Sequence, residues 1–143
     1  MITALNGLQL QFCDIQGRLF ERSLIRNLDS NEFINKFMNS ETCGYFDLPF
    51  DRLQWAGEEY ILENLLEEIT VCAAGELYFK DEIYWIGYIY RYWHFLTGEN
   101  SREIYFQADE RLMRDCFSGF HTLDPAMAVE NLKEIYRQTY GIK

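Results

Sequence analysis

The sequence predicts an all-α fold, a single compact bundle of about five to seven helices around a central aromatic-rich helix at 81–96. Three observations predict it. Apolar residues recur at steps of three and four along most of the chain. Helix-start signatures stand between those stretches. The stretch DEIYWIGYIYRYWHFL (81–96) carries apolar or aromatic residues on every helical face, and a helix that is hydrophobic all round sits inside its domain.

The first predicted helix covers 3–28, with Leu5, Leu8, Phe12, Ile15, Leu19, Phe20, Leu24 and Leu28 at helical steps. Leu8, Leu10 and Phe12 also alternate, so a short strand at 8–12 is the competing reading. Gly7 and Gly17 weaken the helix by about 1 kcal/mol each, and Gly17 suits a close helix–helix approach. Asp29 is the expected N-cap of a second helix, with Glu32 as its capping-box partner and Phe33, Ile34, Phe37 and Met38 as its buried stripe. Residues 39–50 read as a loop punctuated by Gly44 and Pro49.

Residues 51–72 form the clearest amphipathic pattern. Leu62, Leu65, Leu66 and Ile69 line one face; Glu59, Glu63 and Glu67 line another at i, i+4 steps, flanked by Glu58 and Glu68. A turn at Gly75 and a brief extended piece follow. Asp81 and Glu82 suit the start of the central helix, where the macrodipole favours negative charge, and Gly98 suits its left-handed stop. Asn100 with Glu103 reads as a capping box, and Asp109 as the cap of a helix carrying Leu112, Met113 and Cys116. Residues 117–123 read as a turn through Gly119. Asp124-Pro125 starts the last helix, with a stripe of Val129, Leu132, Ile135, Tyr136 and Tyr140 and a stop at Gly141.

The chain has 143 residues, a length that suits one helical domain, 1–143. Its 13 bases and 23 acids give a formal charge of −10, which repels nucleic-acid backbones and anionic lipid; a basic protein surface is the complementary partner. No apolar run is long and uncharged enough to span a bilayer. Cys13, Cys43, Cys72 and Cys116 are too widely spaced for a zinc ribbon, and no secretory leader opens the chain, so a reducing cytoplasm is the expected compartment.

Catalytic patterns are sparse. No Gly-x-Ser-x-Gly elbow, phosphate-binding glycine loop or His-Glu-x-x-His occurs, and no cofactor or metal is expected. Cys116 and His121 are five residues apart; a packed thiol and a hydrogen-bonded loop imidazole are the plainer reading. Across 58–82, Glu58, Glu59, Glu63, Glu67, Glu68, Glu76, Asp81 and Glu82 face one base, Lys80. Like charges at i, i+4 cost a few tenths of a kcal/mol per pair, so the row is either a solvated face or a partner surface.

Two stretches carry a resemblance. FDRLQWAGEEYILENLLEEI (50–69) resembles the Gly-Glu-Glu-Tyr-Ile helix of a small uncharacterised bacterial family encoded beside ADP-ribosyltransferase-like reading frames in toxin–antitoxin cassettes. YWIGYIYRYWHFLTGENSREIY (84–105) and HTLDPAMAVENLKEIY (121–136) are similar to the C-terminal half of its longer members. The resemblance implies an antitoxin-like role through direct binding, and brings no site residues with it.

The resulting expectation is a non-catalytic protein-binding protein that uses Glu58, Glu59, Glu63, Glu67 and Glu68. Two alternatives stand beside it: a small helical enzyme or ligand carrier with a pocket walled by Tyr84, Tyr88, Tyr92 and His121, and a homo-oligomeric structural module.

Overall fold

In the computed structural model, which describes residues 5–48 and 56–141, helix α1 (Gly7–Ile25) opens on a reciprocal cap. The Asn6 side chain accepts from the Gln9 N–H at 2.8 Å, and the Gln9 amide oxygen accepts from the Asn6 N–H at 3.0 Å. Residues 8–12 are therefore helical. The alternation there reflects two exposed leucines, Leu8 and Leu10, ahead of buried Phe12, not the two faces of a strand. The helix stops at Ile25, short of the expected Leu28. Asn27 turns the chain through φ 58°, a conformation Asn tolerates, and Leu28 forms an isolated antiparallel bridge with Ala73.

Asp29 caps α2 (Ser30–Met38) through a bond from the Glu32 N–H, but the expected capping box is half made. The Asp29 N–H donates to the Cys72 carbonyl at 2.8 Å, and the Glu32 carboxylate accepts from Lys36 Nζ instead. A tertiary strand-like contact has displaced the local one.

Residues 39–50, expected as loop, contain α3 (Glu41–Asp47). Ser40 Oγ accepts from the Cys43 N–H, and the Glu68 carboxylate accepts from the N–H groups of Glu41 and Thr42. Remote charge at a helix start thus offsets the cost of Gly44. Helix α4 (Glu58–Glu68) is shorter than the expected 51–72. Of the missing part, 51–55 lie outside the described residues, whereas Ile69 is extended (φ −127°, ψ 160°). The chain from 69 to 79 leaves the helix to bond along the start of α2: Ser30 N–H to the Glu76 carbonyl, and Tyr78 N–H to Ser30 Oγ.

The central helix is α5 (Lys80–Thr97), one residue longer at each end than expected, with Gly98 at φ 79° as its left-handed stop. It buries Ile83, Trp85, Ile86, Gly87, Ile89, Tyr90, Arg91, Tyr92 and Trp93. Helix α6 (Ser101–Gln107) carries the Asn100–Glu103 capping box in full. Helix α7 (Glu110–Phe120) is capped by Asp109 and runs through the expected turn at Gly119. Helix α8 (Pro125–Tyr140) starts on Asp124 and stops at Gly141, φ 68°. Val129 and Leu132 are buried as expected, while Tyr140 is exposed together with its neighbours from Gln138 to Gly141.

The fold is all-helical, with eight helices among the described residues against the five to seven expected; α3 is the addition. Helices α1 and α5 are its antiparallel spine. Phe12 lies near Phe95 with ring centroids 6.2 Å apart, Gln16 Nε2 donates to the Gly87 carbonyl at 2.9 Å, and Glu21 stands 3.9 Å from Lys80. Helix α4 packs on α1, and α6, α7 and α8 on α5.

Candidate functional site

The acidic row on α4 is only partly free. Glu58 is mostly covered and lies 3.8 Å from Arg18 Nη1; Glu63 is bonded to Arg26. Glu68 serves as the remote cap of α3, accepting from the Glu41 N–H, Thr42 N–H and Thr42 Oγ at 2.7–2.9 Å. Partial burial pushes its carboxyl up, and those three bonds pull it down by more. Three of the five glutamates expected to meet a partner therefore have work within the fold. Glu59 and Glu67 are exposed and make no ion pair among the described residues, and Tyr60 beside them is 59% exposed.

Tyr84, Tyr88 and Tyr92 come together as a ladder of rings at i, i+4 steps, with centroids 6.0 and 6.3 Å apart. Tyr92 is buried, and the Tyr84 ring covers Gly17 while its hydroxyl donates to Asp14 at 2.5 Å. His121 is engaged with the end of its own helix. Its ring stacks on Phe117 with centroids 4.3 Å apart, and its Nδ1 donates to the Phe117 carbonyl at 2.7 Å. Cys116 is half-buried, and burial raises its thiol pKa.

A buried polar centre escaped sequence reasoning. Arg91 is fully buried. Its Nε donates to Gln16 Oε1 at 2.8 Å, its Nη1 to Asp47 Oδ1 at 2.5 Å, and its guanidinium lies 4.4 Å over the Phe46 ring. Ser101 adds its N–H to Asp47 Oδ2 and its hydroxyl to Oδ1. Burial pushes the Asp47 carboxyl up; Arg91 and Ser101 outweigh it and hold the group below its ordinary value. The signal was an arginine inside an all-round apolar helix, which cannot be buried without a counter-charge. This cluster ties α1, α3, α5 and α6 together. The thiols of Cys13 and Cys43, next to it, are pushed up to about 12 by burial, so they stay protonated and non-nucleophilic at neutral pH.

A second hub surrounds Glu99. Its Oε1 accepts from Trp93 Nε1 at 2.9 Å and Lys133 Nζ at 2.7 Å, and its Oε2 from Gln107 Nε2 at 2.6 Å. Burial pushes this carboxyl up, but its donors hold it down at about 2. Glu99 also borders an open cleft of about 590 Å³ between α6 and α8, with Glu103, Phe106, Gln107 and Tyr136 in its walls. Phe106 is 76% exposed and meets Tyr136 edge to face at 6.3 Å; Tyr136 continues to Tyr140 at 4.8 Å. Exposure of an aromatic on so short a helix depends on tertiary placement, so periodicity could not reveal it.

Among the described residues, no group of three or more His, Cys, Asp or Glu could hold a metal ion, and no helix is long and apolar enough to cross a membrane. No protein-family model, curated protein or solved structure matches the chain.

Proposed function

We propose that the chain is a non-catalytic binding protein for a basic protein surface, acting as an antitoxin that neutralises a neighbouring toxin by covering it. The observation that carries the reading is the outer edge of α4, where exposed Glu59 and Glu67 make no ion pair among the described residues and Tyr60, next to Glu59, is also exposed. Carboxylates left without a counter-charge on an exposed helix favour encounter with a cationic patch. Tyrosine is a common interface anchor. The formal charge of −10 adds long-range steering. The sequence resemblance of 50–69, 84–105 and 121–136 supports the toxin–antitoxin setting. Four free thiols support a reducing cytoplasm as its place of action.

The test is co-expression with the product of the adjacent gene, followed by purification and association kinetics. The expected result is a complex whose on-rate falls steeply with salt, and falls about tenfold in the Glu59→Lys, Glu67→Lys double variant. Absence of a complex at micromolar concentration would reject the reading. Both glutamates are exposed and make no ion pair among the described residues, so the variant should fold.

A further inference from the structure

Three times among the described residues a cation lies on an aromatic ring with a carboxylate beside it. Arg91 lies 4.4 Å over Phe46 and bonds Asp47; Arg114 lies 4.2 Å over Tyr78 and bonds Glu76 and Glu82; Lys133 lies 5.6 Å over Trp93 and bonds Glu99. The cleft between α6 and α8 repeats the composition. Phe106 and Tyr136 form its aromatic walls, and Glu103, three residues before Phe106, stands on the same helical face. Here no cation of the chain covers either ring among the described residues. Arg102 also lines the cleft, but its Nη2 is turned to the Asn39 carbonyl, to which it donates at 2.6 Å, and Lys133 on α8 is held by Glu99.

We propose that this cleft receives the guanidinium of an arginine on a basic partner protein, stacked on the exposed Phe106 ring beside Tyr136 and bonded to the Glu103 carboxylate. Arginine suits it better than lysine because a planar guanidinium stacks and presents paired donors to a carboxylate. Gln107, whose amide nitrogen is held by Glu99, adds a polar edge to the same cleft. This deepens the reading above and rests on it for the partner's charge, but the cleft belongs to α6 and α8, whereas α4 packs on α1.

The test is an NMR titration of the isotope-labelled full-length protein with the capped tripeptide acetyl-Gly-Arg-Gly-amide. Saturable shifts of the Phe106 and Tyr136 rings and the Gln107 side-chain amide are expected in the millimolar range. Phe106→Ala and Glu103→Gln should each weaken binding about five-fold. Neither should unfold the protein, since Phe106 is exposed and Gln keeps the oxygen that accepts from the Asn100 N–H. The control peptide acetyl-Gly-Leu-Gly-amide, the leucine tripeptide, should shift nothing, and the Glu59→Lys, Glu67→Lys protein should respond as the parent does, which separates this result from the α4 test. The proposal is overturned by any of four outcomes: no saturable shift up to about 50 mM peptide, an equal response to the leucine tripeptide, undiminished binding in both cleft variants, or the same resonances moving with protein concentration alone, which would put a second copy in the cleft.

Discussion

The ring of Tyr84 lies directly over Gly17, so close that a Cβ on the glycine would stand 2.6 Å from Tyr84 Cε2. Gly87 makes the reciprocal approach from α5, where a Cβ would meet the Gln16 carbonyl oxygen and Phe20 Cγ, each at 2.8 Å. The antiparallel spine is built on these two absences of side chain, and everything else in the bundle leans on it.

The two glycines are not equivalent. At Gly17 the obstacle is a half-buried ring that can swing outward, losing its bond to Asp14. At Gly87 the obstacle is α1 backbone, which moves only if the helices separate. Gly87→Ala should therefore destabilise by about 2–3 kcal/mol, overpacking outweighing the gain in helix propensity of about 1 kcal/mol. Gly17→Ala should cost less. Urea midpoints of the two variants check the order.

Arg91 and Asp47 should be inseparable. Removing the guanidinium in Arg91→Met strands a largely buried carboxylate with, among the described residues, only the Ser101 N–H and hydroxyl as its hydrogen-bond donors, and a loss of about 3–5 kcal/mol is expected. The double variant Arg91→Met, Asp47→Leu should recover part of it, because apolar groups of similar volume need no counter-charge. Since the fold depresses the Asp47 pKa, its contribution is complete above the unfolded carboxyl value of about 4 and is lost as pH falls through the folded one. Urea titrations of the single and double variants at neutral and acid pH separate these outcomes.

Glu99 should behave alike. Its carboxyl falls from an ordinary 4.5 to about 2 on folding, so its stabilisation is fully present above pH 4.5 and fades as pH drops toward 2. The stability gap between parent and Glu99→Gln should be largest near neutrality and close as pH approaches 2. A gap constant with pH would mean that the hub does not depend on the charge of the Glu99 carboxylate.

Local chemistry was legible in the sequence, and remote chemistry was not. Asn100 with Glu103, Asp109, Asp124-Pro125, Gly98 and Gly141 each act within a few residues of themselves, and each bounds its helix as read. Helix α3 was missed because its start is stabilised by Glu68, whose carboxylate arrives from another helix. The acidic row on α4 read as uniform, but Arg18 on α1 and Arg26 at its C-cap divide it into paired and unpaired members. Arg91 announced itself by standing in an apolar helix, whereas its counter-charge Asp47 lay in a segment read as loop. Phe106 gave no signal, since nothing nearby in sequence decides whether a short helix turns its aromatic inward.

Asp29 supports a last prediction, because one carboxylate there joins two segments. Its Oδ2 caps α2 by accepting from the Glu32 N–H at 2.8 Å, and its Oδ1 accepts from the Glu76 N–H at 2.7 Å. The second bond holds the chain that carries Tyr78 against Asn31 and Glu76 against Arg114. That geometry exists only because Gly75 lacks a side chain: a Cβ there would stand 2.6 Å from Asp29 Cβ. Gly75→Ala should therefore push the carboxylate off both donors, with a loss of about 1–3 kcal/mol. Asp29→Ala removes the same two bonds without a clash and should cost a similar amount. The two changes act on one joint, so the double variant Asp29→Ala, Gly75→Ala should lose far less than the sum of the singles. Hydrogen exchange of the Glu32 and Glu76 amides should accelerate together in either single variant. Additive losses, or independent exchange of the two amides, would show that α2 and the 69–79 segment are held by separate contacts.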